Sequence, residues 1–292
     1  MQTTVAEALV EALPFVQKWA GRTVVIKYGG AAMAAADLSD AVMQDVVLLQ
    51  AVGVSVVLVH GGGPAVSEMG RRLGIEPRFV DGLRVTDPDT LRIAQQVQVG
   101  GVSRDIVAAI GRLGGRALGV SGHDGGGWLR AGVRRHVSRQ TGEEVDLGRV
   151  GDVSRVDASL LQELLSLGLI PVVAPVAVDD HLDSLNVNAD SVAMAVAGAL
   201  DAGRLIFLTD VEGIRGPDGV VAEVGSETLE AWIQDGVVSG GMIPKAEACL
   251  EALQLGVEGV VVADGRVPHA VLLELLTSRG AGTIVRLEGE ES

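Results

Sequence analysis

Two apolar stretches of the chain each end in a glycine turn, and this repeated pattern constrains the fold more than any other feature. Residues 23–30 read TVVIKYGG, and residues 54–64 read VSVVLVHGGGP. Apolar, β-branched runs of this kind are typical of strands in a parallel sheet that is covered on both faces. Glycine turns let backbone N–H groups approach a ligand closely. The two turns together therefore predict a shared site for a phosphate group.

Lysine is scarce in this chain, and its positions are informative. The only lysines are Lys18, Lys27 and Lys245. Lys27 directly precedes the first glycine turn, and Lys245 follows a glycine pair at the start of a helical pattern, where the helix dipole favours anions. For each of these two the alternative is an exposed lysine without a ligand. Their shared setting favours contact with a phosphate group.

The alternation of strands and helices predicts an α/β fold with a mainly parallel sheet. It begins after residue 21 and restarts near residue 201, which divides the chain into an N-terminal helix (1–20), a first lobe (21–201) and a second lobe (202–292). Within the first lobe, the polar junction LNVNAD places Asn186 and Asp190 before a helix, where they could bind a ligand or cap the helix. Arg84 could hold a substrate carboxylate, or could pair on the surface with a nearby aspartate.

Composition excludes several classes of protein. The net charge is −15, from 23 Lys and Arg against 38 Asp and Glu, and only 2% of residues are aromatic, so nucleic acid is not an expected partner. A single cysteine excludes an internal disulfide framework and a cysteine-rich metal site. The sequence contains neither a signal-peptide pattern nor an apolar run long enough to span a membrane. We therefore expect a cytoplasmic protein with no membrane partner.

Seven motifs occur in a fixed order along the chain: IKYGG, HGGGP, DGLRVTD, SGHDGG, LNVNAD, LTDVEG and SGGMIPK. With this ordered set, the chain resembles the N-acetylglutamate kinases of the amino acid kinase family from about residue 11 to about residue 287. The resemblance implies an αβα sandwich with a mainly parallel central sheet and two lobes, the first for N-acetyl-L-glutamate and the second for ATP. It also implies a Mg²⁺- and ATP-dependent kinase that phosphorylates the side-chain carboxylate of N-acetyl-L-glutamate to N-acetyl-L-glutamyl 5-phosphate in arginine biosynthesis.

The resemblance also implies roles for individual residues. The expected catalytic residues are Lys27, Lys245 and Asp190, with Asp190 orienting both lysines. Those expected to bind the acceptor are Gly62, Gly63, Arg84 and Asn186. Those expected around the phosphates and ATP are Gly29, Gly30, Gly61, Thr209, Asp210, Gly241 and Met242. No protein ligand to a metal is assigned. Because the carboxylate nucleophile, with a pKa of about 4.3, is already ionised at neutral pH, the reaction needs no general base.

The first twenty residues carry an apolar stripe at helical spacing. The stripe could pack on its own domain or could cover a neighbouring subunit. The family resemblance implies the second use, in a hexamer built as a trimer of dimers and inhibited by arginine. It further implies an arginine site near the C-terminus, with the candidates His269, Glu274, Gly280 and Gly282. A nitrogen-signalling protein as partner is left open.

Three positions depart from the commoner family pattern. Ala31 and Gly101 stand where asparagine and lysine are usual, and His123 replaces a frequent lysine. None of the three is expected in phosphoryl transfer. Two alternatives also stay open: a sister kinase acting on aspartate, glutamate or an aminoadipate-type acceptor, and a non-catalytic arginine sensor with the same fold.

Overall fold

The strands supply a large part of the buried apolar core. The structure, a computed structural model, describes residues 2–33, 36–139 and 141–289, so Met1 and residues 290–292 of the predicted end segments lie outside the described residues. The described strands are β1 (Thr23–Tyr28), β2 (Ser55–His60), β3 (Phe79–Val80), β4 (Leu83–Arg84), β5 (Ala117–Val120), β6 (Leu129–Val133), β7 (His136–Val137), β8 (Glu144–Val145), β9 (Val150–Val156), β10 (Ile170–Val173), β11 (Val176–Val178), β12 (Ser184–Val187), β13 (Arg204–Thr209), β14 (Arg215–Gly216), β15 (Gly219–Val220), β16 (Glu223–Gly225), β17 (Val260–Asp264) and β18 (Gly282–Arg286).

The helices connect and cover these strands. They are α1 (Gln2–Trp19), α2 (Ala36–Ala51), α3 (Gly63–Arg72), α4 (Pro88–Gln95), α5 (Ser103–Arg112), α6 (Ser159–Ser166), α7 (Ala189–Ala199), α8 (Ser226–Gln234), α9 (Ile243–Gln254) and α10 (Ala270–Leu276). Short 3₁₀ turns occupy Gly30–Met33, Asp124–Gly126 and Gly240–Met242, and a π-helical segment occupies Gln96–Val102. Across the described part of the chain, none of the helices combines the length and apolarity needed to cross a bilayer.

One eight-stranded sheet forms the centre of the molecule, in the order β16–β18–β17–β13–β1–β2–β10–β5. Every neighbouring pair is parallel except β17 and β18, which are antiparallel. Strands buried on both faces need apolar residues at successive positions, and the fully buried run Val24 to Ile26 supplies them. The mainly parallel sheet predicted from the sequence is confirmed.

Helices pack on both faces of this sheet. Residues such as Val25, Val57 and Leu205 point to the face covered by α6, α7, α8 and α9. Their neighbours, such as Val24 and Leu58, point to the face covered by α1, α2, α5 and α10. Because successive side chains of a strand point to opposite faces of the sheet, the core is divided into these two layers. The fold is therefore the αβα sandwich expected from the sequence.

The strand order fixes where a ligand can bind. The chain passes from β1 to β2 on one side and returns to the other side of β1 at β13. Open α/β sheets bind ligands at the carboxyl ends of the strands where the strand order reverses in this way. In the parallel register Tyr28 lies opposite His60, so the two glycine turns leave the sheet at the same level. Both turns therefore lie at one edge, beside the end of β1.

Two regions differ from the expectation. In the valine-rich segment 128–156 the sequence pattern predicts a β-hairpin; β6 and β9 do pair antiparallel there, and they also join β11 and β12 in a small closed barrel in the order β11–β12–β9–β6. The glycine pair at 100–101 predicts a break in the helical stretch 88–113, but the stretch continues through the pair as the π-helical segment Gln96–Val102. Glycine weakens a helix by about 1 kcal/mol, and packing of the buried Val97 and Gln98 can outweigh that loss.

Truncation of a buried core residue tests the packing. Leu58 is 0% exposed in the middle of β2. We expect Leu58→Ala to lower the free energy of unfolding by about 2–5 kcal/mol, because it removes apolar contacts and leaves a cavity. Denaturant unfolding followed by circular dichroism measures this change. Leu167→Ala is the matched control, since Leu167 is 62% exposed and its truncation should change stability by no more than about 0.5 kcal/mol. Equal losses in the two variants would contradict the described core.

Candidate active site

Two clefts meet at Lys27. The larger, of about 290 Å³, is lined by Gly29, Gly30, Gly61, Gly62, Gly63, Arg84 and Asn186 among others. The smaller, of about 200 Å³, is lined by Asp190, Thr209, Asp210 and Lys245 among others. Lys27 and Gly30 line both clefts. The geometry thus provides two neighbouring binding spaces with one ammonium group between them. Following the roles expected from the sequence, we call the larger space the acceptor cleft and the smaller one the nucleotide cleft.

The two glycine turns touch each other. The Gly61 N–H donates a hydrogen bond of 2.8 Å to the Tyr28 carbonyl, which joins the end of β2 to the end of β1. A Cβ atom at Gly29 would lie 3.3 Å from Lys27 Nζ, so a side chain there would crowd the ammonium group. Gly30 has a φ of +57°, in the left-handed region that favours glycine. These turns therefore hold backbone N–H groups and Lys27 around the same space.

Asp190 faces Lys27 and does not cap its own helix. Asn188 is the N-cap of α7, and its side-chain oxygen accepts a hydrogen bond from the Asp190 N–H. The Asp190 carboxylate is then free to contact Lys27, with 3.0 Å between Oδ1 and Nζ. The two atoms form an ion pair, but their angles are not those of a hydrogen bond. Asp190 thus neutralises and holds the lysine at the junction of the clefts.

Lys245 pairs with a different carboxylate from the expected one. Its Nζ donates to Asp210 Oδ1 over 3.2 Å, whereas the sequence expectation has Asp190 orienting both lysines. The hydrogen bond from Lys245 lowers the pKa of the exposed Asp210 carboxyl. Lys245 lies in the first turn of α9, just after the 3₁₀ turn that contains Gly241 and Met242. These last two residues do not line the nucleotide cleft.

Arg84 lies inside the acceptor cleft and not in a surface salt bridge. Its Nη2 atom donates to the Gly63 carbonyl and to Ser67 Oγ, each over 2.8 Å. Its guanidinium carbon lies 4.8 Å from the centre of the Phe79 ring. Burial lowers the pKa of Arg84, which still stays charged at neutral pH. The bound Nη2 fixes the side chain and leaves the other N–H groups of the fork for a ligand.

The aspartates near Arg84 have other partners. Asp81 accepts a hydrogen bond of 2.8 Å from His136 Nε2, and Asp87 caps α4 by accepting from the Thr90 N–H. Arg84 therefore does not form the alternative surface pair with Asp81 or Asp87. Asn186, the remaining expected acceptor residue, donates from Nδ2 to Thr86 Oγ1 over 3.2 Å and lines the same cleft.

His60 and His123, which each lie beside a glycine-rich segment, line neither cleft. His60 is fully buried, and burial lowers its pKa to about 4, so the ring is neutral at pH 7. Its Nδ1–H donates to the Gly61 carbonyl over 2.6 Å and so supports the second glycine turn. His123, one of the three departures, contacts Ser184 Oγ over 3.2 Å. Gly101 lies in the π-helical segment, and the side chain of Ala31 lies outside what the structure describes.

A third cleft joins α1 to the C-terminal segment. It has a volume of about 320 Å³ and is lined by Lys18, Trp19, Glu274, Gly280 and Gly282 among others. Three of the four expected arginine-site residues are thus brought together. The fourth, His269, does not line this cleft; its Nδ1 contacts Asp45 Oδ1 of α2 over 2.6 Å. We call this space the peripheral cleft.

Sequence reasoning missed several residues of the acceptor cleft, and one of them is a buried polar residue. Gln98, in the π-helical segment, lines the cleft and is only 6% exposed. A glutamine in a helical pattern is usually solvated, and no sequence signal marks this one as buried. Val150 and Pro175, from the barrel region, also line the cleft. Their approach depends on barrel closure, which the sequence pattern did not predict.

Comparison with known proteins agrees with this geometry. Residues 22–264 match the model of the amino acid kinase family. The chain is 52% identical over 284 residues to acetylglutamate kinase of Symbiobacterium thermophilum, covering 96% of this chain and 97% of the relative. It is 47% identical over 289 residues to acetylglutamate kinase of Persephonella marina, covering 95% of this chain and 96% of that relative.

Solved structures share the fold. The N-acetylglutamate synthase from Neisseria gonorrhoeae, complexed with coenzyme A and N-acetylglutamate, aligns with a TM-score of 0.82 at 26% identity. The alignment covers 98% of this chain but spans only 64% of the synthase chain. Carbamate kinase from Giardia lamblia aligns with a TM-score of 0.64 at 15% identity, which supports the fold alone. By its family match and its near full-length relatives, the chain belongs to the amino acid kinase family and, within it, to the acetylglutamate kinases.

Proposed function

We propose that the protein transfers the γ-phosphoryl group of ATP to the side-chain carboxylate of N-acetyl-L-glutamate in arginine biosynthesis. The product is N-acetyl-L-glutamyl 5-phosphate. The observation that carries the proposal is the pair of clefts that share Lys27 and Gly30. One cleft offers Arg84 and Asn186 to a dicarboxylate, and the other offers Lys245 to a phosphate chain. Two anionic substrates can therefore meet at one ammonium group.

The reaction requires alignment and charge neutralisation. A carboxylate oxygen of the acceptor attacks the γ-phosphorus, the bond from that phosphorus to the bridging oxygen breaks, and ADP leaves with the electron pair. No proton is transferred, because the nucleophile is already ionised at pH 7. Lys27 and Lys245 stabilise the negative charge on the phosphoryl oxygens, and the glycine-turn N–H groups add hydrogen bonds. The 3.0 Å contact between Asp190 and Lys27 supports this role, because it fixes the ammonium group where the two clefts meet.

Mg²⁺ fits this site as a partner of the nucleotide. Among the described residues, no group of three or more His, Cys, Asp or Glu side chains could form a protein cage for a metal. Asp190 and Asp210 supply two carboxylates beside the nucleotide cleft. Mg²⁺ commonly binds through one or two carboxylates together with substrate phosphates. When bound, Mg²⁺ would offset part of the charge on the phosphate oxygens.

Acceptor selection depends on the larger cleft. Arg84 and Asn186 would hold the carboxylate that does not react, which leaves the side-chain carboxylate near Lys27. An assay of ADP release with N-acetyl-L-glutamate, glutamate, aspartate and 2-aminoadipate tests this selection. We expect release with N-acetyl-L-glutamate at rates at least about 10²-fold above the others, since a buried site left partly unpaired discriminates strongly. Preference for another acceptor, or no ADP release, would refute the proposed substrate.

We further propose that the protein is a hexamer that arginine inhibits. On α1, Leu9, Val10 and Leu13 are 70%, 69% and 50% exposed, which is an unusual apolar face for a free helix. The opposite end of α1 contributes Lys18 and Trp19 to the peripheral cleft. Glu274 in that cleft is a carboxylate of the kind that binds a guanidinium group. The helix α1 would thus take part both in subunit contacts and in the arginine-binding cleft.

Removal of either active-site lysine should abolish most activity. We expect Lys27→Ala and Lys245→Ala each to lower kcat by about 10²–10³-fold, because each removes a charge that stabilises the transition state. Steady-state ADP release measures the loss, and circular dichroism checks the fold. Arg72→Ala, which removes an exposed cation from α3, is the control and should leave kcat unchanged. Turnover near the wild-type level in either lysine variant would contradict its role.

Removal of the Arg84 guanidinium should affect acceptor binding. We expect Arg84→Ala to raise the KM for N-acetyl-L-glutamate by about 10–100-fold, since a hydrogen bond to a charged group contributes about 1.5–3 kcal/mol. The KM for ATP should change by less than about threefold. Initial-rate kinetics with each substrate varied in turn separates the two constants. A larger change in the KM for ATP than in the KM for N-acetyl-L-glutamate would contradict the assignment of Arg84 to the acceptor cleft.

Deletion of residues 1–20 tests the regulatory proposal. We expect light scattering to show a smaller particle than for the full chain, and we expect arginine to lose its inhibitory effect. Both changes follow because α1 supplies the exposed apolar face and three residues of the peripheral cleft, Phe15, Lys18 and Trp19. Unchanged mass together with unchanged arginine sensitivity would show that α1 serves neither purpose.

A further inference from the structure

Gln98 is an unpaired polar side chain beside the acceptor cleft. The residue is 6% exposed, and its Oε1 atom is buried with no hydrogen-bond partner among the described residues. A Cβ atom built at Gly62 would lie 3.1 Å from Gln98 Cγ and 3.8 Å from Nε2, so the side chain packs against the second glycine turn. Gln98 is also one of the residues that line the cleft. Gln98 therefore lines the acceptor cleft, and its side-chain oxygen has no protein partner in the part of the chain that the structure describes.

An unpaired amide in this position is unfavourable for the free protein. Buried amides normally find a hydrogen-bond partner, because water no longer satisfies them. Val66, Ala94 and Val97 around this helix face are apolar and buried, so a leucine or methionine would pack there without that cost. The arrangement is explained if a ligand supplies the missing hydrogen bonds.

The π-helical segment is what orients Gln98. The Ser103 N–H donates to the Gln98 carbonyl, five residues earlier, which is the wider spacing of a π turn. This spacing changes which side chains of the long helix face inward, and it makes both Val97 and Gln98 buried neighbours. Single π turns inside helices occur frequently at functional sites. Gln98 thus owes its place in the cleft to an irregularity of the helix.

The proposed function already assigns partners to the other polar groups of the acceptor. Of its two carboxylates, one is assigned to Lys27 and the glycine turns, and the other to Arg84 and Asn186. The group that remains is the acetamido group, which has one N–H donor and one carbonyl acceptor. A primary amide such as that of Gln98 offers both a donor and an acceptor. We propose that the Gln98 side-chain amide hydrogen-bonds the acetamido group and thereby selects an N-acylated acceptor; this inference rests on the proposed function.

Replacement of the amide by an apolar group of similar size tests this role. In Gln98→Leu we expect the KM for N-acetyl-L-glutamate to rise about 3–10-fold, because the substitution removes one to two hydrogen bonds to the acceptor. The kcat and the KM for ATP should change less than about twofold. Gln98→Met, which keeps the unbranched chain, is the second variant if the leucine variant folds poorly. Gln96→Leu is the matched control, because Gln96 lies in the same segment and is exposed.

A ligand without the acetamido group distinguishes this role from general packing. Glutarate has both carboxylates and no amide, and its inhibition constant is measured in competition with N-acetyl-L-glutamate. We expect Gln98→Leu to leave the glutarate constant within twofold, so that the preference for the acylated ligand falls about 3–10-fold. Equal weakening of both ligands, or of neither, would overturn the inference. An inactive wild-type protein would instead refute the proposed function, which separates the two failures.

Discussion

Electrostatic repulsion is the constraint on which the rest of the site depends. A chain with a net charge of −15 brings two anionic ligands together, and long-range potential opposes both. The local solution is Lys27, whose side chain is only 17% exposed at the end of a buried strand. Asp190 holds the ammonium group in place at 3.0 Å, and Gly29 leaves room beside it. The sheet order, the glycine turns and the start of α7 all serve to position this one charge.

Local chemistry could be predicted from the sequence, and long-range contacts could not. The glycine turns after β1 and β2 and the lysine between them follow from short patterns, and the structure places them together as expected. The partner of Lys245 could not be predicted, because Asp210 and Lys245 meet only after α8 and the turns around it fold. Gln98 was missed for a related reason: its burial depends on a π turn, and helical periodicity alone does not predict such a turn.

The peripheral cleft and the nucleotide cleft are connected by a single strand. Arg204, at the first position of β13, lines the peripheral cleft, and Thr209, at its last position, lines the nucleotide cleft. Burial lowers the pKa of Arg204 to about 10 and leaves it charged at neutral pH. β13 is paired along its length with β1 and β17, which makes it one of the most constrained strands of the sheet. A ligand in the peripheral cleft is therefore separated from the nucleotide cleft by a strand that backbone hydrogen bonds hold on both sides.

The continuous sheet has a consequence for how the site can close. β1 and β13 belong to the two predicted lobes, yet they are joined by parallel backbone hydrogen bonds from Val24 to Lys27. A hinge that separated the lobes would have to break this ladder in the centre of the core. Motion that brings Lys245 nearer to Lys27 is thus limited to a change of sheet twist or a tilt of α9 against it. Closure of the site would therefore involve the whole eight-stranded sheet and not a hinge between two separate lobes.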